Sequence, residues 1–177
     1  MNLAKLLATI LALLCVGVSA ARAEVASSAS NGFVVRYSFI VEAPPQTAYR
    51  KFVDIRGWWD SEHTFSGSAA NLQMTPNPGG CWCEKLPDNG FVRHMDVIYA
   101  APGKAIRLSG GLGPLQTMAV TAAADVQFTA DGANTRVTFT YAVGGYAPNG
   151  LGELAPVVDG VLASQLVRYR AFAGIRR

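Results

Sequence analysis

The chain has 177 residues, half of them hydrophobic and 15% charged, with 15 Lys and Arg against 12 Asp and Glu. This composition excludes a disordered chain, which combines few apolar residues with high net charge, and the length suits one domain with its own core. It also excludes a nucleic-acid footprint: the one basic cluster, Arg168, Arg170, Arg176 and Arg177, reads as a solvated helix end.

The first residues read as a secretory signal. Lys5 gives a positive start, Leu6–Val18 is an apolar run, and Ala21-Arg22-Ala23 offers small residues for cleavage. The run is shorter than the roughly 20 residues a bilayer-spanning helix needs, so it reads as removed rather than retained as an anchor. Leu13-Leu14 before Cys15 speaks against lipid attachment, which favours small residues there. A cut after Ala23 implies a periplasmic or secreted protein with no stable membrane anchor after processing. Lys5 and Arg22 leave with residues 1–23, so the formal charge falls from +3 to +1.

Residues 24–32 (EVASSASNG) are small and polar and read as a flexible, frayed lead-in to a domain spanning 33–174. From Phe33 to Ala43 the chain alternates, with Phe33, Val35, Tyr37, Phe39 and Val41 on one face of a half-buried strand. Pro44-Pro45 ends it and opens a short helix whose inner face is Ala48, Tyr49, Phe52 and Val53, broken at Gly57 ahead of Trp58-Trp59. A loop over 60–68 precedes strands at 69–75 and 81–86, separated by the turn Pro76–Gly80. Pro87–Gly90 turns into a longer strand over 91–100, and 104–109 continues the meander to the glycine-rich loop 110–114. Two clean alternating strands flank Asp131-Gly132, one carrying Val120, Ala122, Ala124, Val126 and Phe128, the other Val137, Phe139, Tyr141 and Val143.

The last segment, Glu153–Ala173, repeats Val158, Leu162, Leu166 and Tyr169 at helical spacing. Pro156 sits in its first turn, Asp159 near its positive end, and Arg168 and Arg170 toward its close. The pattern is one α+β domain: strand, short helices, antiparallel meander, long helix.

That order, with Ala43-Pro44-Pro45-Gln46-Thr47-Ala48-Tyr49, Phe52-Val53-Asp54, Trp58-Trp59 and Gly79-Gly80 before Trp82, resembles the SRPBCC superfamily, also called START-like or helix-grip. The nearest groups are polyketide cyclase/dehydrase-like proteins and bacterial homologues of the activator of the heat-shock-protein ATPase. The second fits poorly, because an exported protein meets little ATP. The resemblance implies a curved sheet of about seven antiparallel strands around the C-terminal helix, two short helices after strand one, and an apolar pocket between sheet and helix. It does not imply one activity, since the superfamily holds carriers, cyclases, receptors and co-chaperones.

On this reading a small hydrophobic molecule, lipid, aromatic or polyketide-like, is the expected partner. A cyclase or dehydratase is the alternative, and a protein-interaction module without ligand is a further one. No cofactor or metal is called for, and no protein partner is identifiable. Trp58 and Trp59 line the pocket or anchor the core. Trp82 faces the cavity by the superfamily pattern, and Glu84 then does so too, as an acid/base or polar-end group; the alternative for Glu84 is a rim ion pair with Arg93 or Lys85. A Glu84–His94 couple across paired strands is conceivable, but the apolar face of that strand (Phe91, Met95, Val97, Tyr99) puts His94 on the other side unless a bulge intervenes. His63 hangs near the entrance, Tyr99 and Leu162 belong to the inner faces, and Tyr146 sits in a mobile rim loop. The loop 110–114 lacks the Gly-Lys-Ser/Thr ending of a phosphate loop.

Cys81-Trp82-Cys83 leaves three readings open: inert thiols, a strained or intermolecular disulfide, or a soft-metal site with His94, Met95 or Met74. In an extended strand their Cα atoms lie about 6.6 Å apart, so an internal bond requires a bulge.

Overall fold

Alternation over Phe33–Val41 gives one strand face only apolar side chains, and that face lies against the core, with Phe33, Val35, Tyr37, Phe39 and Val41 all buried. The computed structural model, which describes residues 22–174, sets this strand, β2 (Gly32–Val41), between β1 (Arg22–Ala29) and β8 (Asn134–Tyr146). The remaining strands are β3 (Leu72–Met74), β4 (Cys81–Lys85), β5 (Phe91–Ala101), β6 (Ala105–Ser109) and β7 (Ala119–Asp131). All pairings are antiparallel and form one sheet in the order β1-β2-β8-β7-β6-β5-β4-β3. From β3 to β8 the chain runs as a meander, and the β2–β8 pairing brings its end back beside its beginning.

Among the described residues the α-helices are α1 (Pro45–Val53) and α2 (Ala155–Gly174). Pro45 opens α1, where its missing N–H costs nothing, and Ala48, Tyr49 and Phe52 make its buried face. Phe52 lies where both helices meet the sheet: its ring centroid is 5.3 Å from Trp58 and Tyr169 and 5.9 Å from Phe128. Leu162, Leu166, Tyr169 and Ala173 are the buried stripe of α2, and the Tyr169 hydroxyl donates to the carbonyl of Ala48 at 2.9 Å. Near the other end of α2, the Tyr37 hydroxyl donates to the Asp159 carboxylate, which ties the helix to β2.

Two expectations about the fold are corrected. Among the described residues the sheet has eight strands rather than seven, because residues expected to fray form β1. Residues 25–30 are exposed, so backbone pairing with β2, not side-chain burial, holds this edge strand, and a hydrophobic pattern has nothing to report there. The second short helix is instead a set of 3-10 turns at Ile55–Gly57, Ser61–His63 and Ala69–Asn71, the last shortening the strand expected at 69–75. Arg168 and Arg170 fall in the closing turns of α2, as expected, one turn or more before its end at Gly174. The apolar run Leu6–Val18, Arg176 and Arg177 lie outside the described residues.

The turn into β4 depends on two glycines for different reasons. Gly79 has φ +76°, the left-handed region that disfavours a side chain. At Gly80 a Cβ would fall 1.8 Å from the carbonyl oxygen of Thr75, a backbone atom that cannot step aside. Gly80→Ala is therefore expected to cost about 2 kcal/mol or more and Gly79→Ala about 1 kcal/mol, read from urea unfolding midpoints.

Candidate functional site

The candidate site is built by a bulge. On β5 the register steps from Met95, opposite Trp82, to Arg93, opposite Cys83, so His94 is an extra residue. His94 and Met95 consequently both turn inward, while Phe91 and Arg93 turn out. A second bulge at Ile98 flips Tyr99 outward too. The bulge brings His94 in beside Met95, as the Glu84–His94 couple requires, whereas Phe91 and Tyr99, expected from sequence on the same face as Met95 and Val97, point outward.

Glu84 and His94 thus meet inside the protein, both buried, with Glu84 Oε2 and His94 Nε2 3.0 Å apart. The carboxylate also accepts the backbone N–H groups of Phe65 (3.2 Å) and Ser66. Burial pushes the Glu84 carboxyl up, but hydrogen bonds from Ser66, Phe65 and His94 together outweigh it and hold it below the usual value. Burial pulls the His94 imidazole below its usual 6.5 against the attraction of Glu84. The neutral ring donates Nε2–H to the carboxylate, which leaves Nδ1 an acceptor facing the Gln116 amide at 3.4 Å. Arg93 pairs with Asp96 rather than with Glu84.

By holding Phe65 and Ser66, Glu84 positions one wall of a cleft of about 330 Å³. Trp59, Glu62, His63, Thr64 and Phe65 form that wall, Leu112–Leu115 the opposite one, and Val157, Val158, Val161 and Leu162 of α2 the third side. The first wall is braced from α2: the buried Gln165 side chain accepts the N–H of Asp60 at 2.8 Å, and Arg168 donates to the carbonyl of Trp58. Trp59 Nε1 donates to the carbonyl of His63, closing the turn on itself. Across the cleft the Tyr141 hydroxyl, its pKa pushed up to about 12 by burial, accepts the N–H of Leu112. Phe65 (57% exposed) and Val157 (65%) leave the mouth apolar.

Of the residues named from sequence, Trp59, His63 and Leu162 line this cleft. Trp82 stands behind it, its ring edge-on to Trp59 at 4.7 Å. Glu84 and His94 support the wall without lining the cleft. Trp58 is a core residue whose indole donates to the carbonyl of Phe52. Tyr99 and Tyr146 lie elsewhere: Tyr99 is on the outer face under the Arg107 guanidinium, and Tyr146 is exposed at the end of β8. Sequence reasoning missed Phe65, Leu115, Val157 and Val161, although Val157 and Val161 recur at helical spacing beside the stripe Val158–Leu162 that it used. The expected pocket between sheet and helix is displaced to one end, because Phe39, Phe52, Trp58 and Tyr169 fill the centre. Cys81 and Cys83 form a disulfide with Cα atoms 5.5 Å apart, beside the irregular register that such a bond requires. Among the described residues no group of three or more His, Cys, Asp or Glu could hold a metal ion, and no helix is long and apolar enough to cross a membrane.

No protein-family model and no curated protein matches the chain. Solved structures match its fold. An uncharacterized protein from Rhizobium leguminosarum superposes with a TM-score of 0.60 at 17% identity, covering 86% of this chain and 97% of that one. A conserved protein of unknown function from Enterococcus faecalis gives 0.54 at 12% identity, covering 85% and 75%. BexL, a di-domain ARO/CYC protein of the BE-7585A biosynthetic pathway, gives 0.54 at 16% identity, covering 84% of this chain and 52% of BexL. At these identities the likeness is one of fold, and the fold is consistent with the helix-grip class: a curved antiparallel sheet and a C-terminal helix.

The lowered values of His94 and Glu84 give acid a defined effect. Each group contributes stability that is complete above its unfolded pKa and lost as pH falls toward its folded value, so His94 acts first, below about 6.5, and Glu84 below about 4.5. The melting temperature is expected to fall from pH 7 to pH 4. His94→Gln should flatten the upper part of that decline, and Glu84→Leu, which strands two backbone N–H groups, should cost about 1–3 kcal/mol at pH 7.

Proposed function

We propose that this protein is an exported member of the START-like superfamily that binds a small hydrophobic molecule, lipid, aromatic or polyketide-like, in the cleft between residues 59–65, residues 112–115 and α2. The observation that carries this reading is the lining: nine of its thirteen residues are apolar or aromatic, from Trp59 to Leu162, with Glu62, His63 and Thr64 grouped on one wall. Apolar walls with a few convergent polar groups suit a molecule whose body is buried and whose polar end is oriented. The fold-level likeness to proteins that include a polyketide cyclase agrees with such a ligand class.

A second reading has its own observation. The Glu84–His94 pair holds a neutral imidazole in one tautomer with Nδ1 an acceptor that faces the Gln116 amide, and an imidazole acceptor held in this way is what a cyclase- or dehydratase-type base requires. Binding ranks first because neither residue lines the cleft. Export is supported by Lys5, the run Leu6–Val18 and the small residues before Glu24.

The environment-sensitive naphthalene probe ANS is expected to bind at the cleft. Leu162→Trp, which fills it, should weaken that binding at least about tenfold, whereas His94→Gln should change it less than about twofold. Unaltered binding in Leu162→Trp would refute the cleft. Loss of turnover of an aromatic polyketide substrate in His94→Gln, with probe binding kept, would favour the second reading. Intact mass of the protein from the native host is expected to place its N-terminus at Glu24.

A further inference from the structure

The Cys81–Cys83 bond joins residues two apart in one strand, and β3 and β5 already hold that strand on both sides. It links no separate elements, and the loop it closes is so small that it restrains the unfolded chain little. Both cysteines are half-buried on the sheet's outer face, opposite in direction to the buried Trp82 and Glu84. Their cross-strand neighbours differ in charge: Asp96 is opposite Cys81 and Arg93 is opposite Cys83. Arg93 and Asp96 are also ion-paired with each other, so the sulfurs meet a dipole rather than two separate charges; its cationic residue stands opposite Cys83, where a thiolate is favoured, and its anionic residue opposite Cys81, where one is disfavoured.

We propose that this disulfide is a thiol–disulfide exchange site for solvent-borne thiols, with Cys81 the sulfur attacked and Cys83 the leaving group. The site is separate from the cleft and does not depend on what the cleft binds. A thiolate RS⁻ attacks Cys81 Sγ and forms the mixed disulfide. The Cys81–Cys83 bond breaks and its electron pair stays on Cys83 Sγ as a thiolate on the Arg93 side. A second RS⁻ attacks the sulfur of the bound R group, forming RSSR and expelling the Cys81 thiolate. Both protein thiolates take up the protons that the two RSH molecules released. Two thiols are thereby oxidised by two electrons and the protein disulfide is reduced to two thiols. The more stable leaving thiolate departs faster, and this selects the direction of attack.

Trp82 supplies a built-in reporter, since it lies between the cysteines and its ring meets Trp59. The test uses the native, unreduced protein with about 5 mM reduced glutathione, quenched at intervals with N-ethylmaleimide and read by peptide mapping. Doubly alkylated Cys81/Cys83 peptide is expected within minutes, with a change in tryptophan emission and a transient glutathione adduct on Cys81. Arg93→Ala, an exposed substitution, should slow reduction at least about threefold, and Asp96→Asn should not slow it. A disulfide intact after a day, or two free thiols at this pair before any reductant is added, would overturn the exchange site. An adduct on Cys83, or an unchanged rate in Arg93→Ala, would overturn the assigned direction.

Discussion

Glu84 carries a carboxylate into the protein interior, and much of the surrounding architecture follows from the need to keep that charge hydrogen-bonded. It accepts two backbone N–H groups from the 65–66 segment and the ring Nε2–H of His94, and those bonds fix a loop, a ring and a strand irregularity around one side chain. A buried charge that loses its partners is far more costly than one never buried, so the three contacts stand or fall together. The bulge at His94 belongs to the same arrangement: without the extra residue, the imidazole would leave the other face of the sheet.

The rest of the interior explains why the cleft sits where it does. Aromatic side chains from β2, α1, the turn after it and α2 pack around Phe52 and leave no room under the middle of α2. Space remains where those rings give way to Leu162, Val161 and Val158 at the N-terminal half of the helix. The curved sheet and the C-terminal helix are thereby kept, while the interior between them is mostly solid. Under the proposed binding role this favours a ligand of modest size held at one end over a long chain threaded through the domain.

Much of the fold was legible because burial leaves a period in the sequence. β2, β7, β8 and the stripe Leu162–Leu166–Tyr169 all announce themselves through alternating or helical spacing. β1 does not, since an exposed edge strand is held by backbone bonds that any side chain permits. The site was legible only in pieces. Trp59, His63 and Leu162 could be nominated, and the Glu84–His94 couple could be named together with the bulge it requires. The bulges themselves arise from strand pairing across the sheet, which no local pattern records, and Tyr99 was misplaced for that reason. Phe65 lies in a loop with no period at all, positioned by a carboxylate nineteen residues away.

The cleft walls are secured unequally. One is fastened at both ends, to α2 through Gln165 and Arg168 and to the sheet through Glu84. The other, at 112–115, is held to the core by the Leu112–Tyr141 hydrogen bond and by packing of Leu115, with Gln116 resting on His94. Were a molecule bound there, as proposed, the wall with fewer ties would be the one to give way to a guest thicker than the resting width. The braced side would then set the shape that is accepted, and the less tied side the rate at which a guest exchanges.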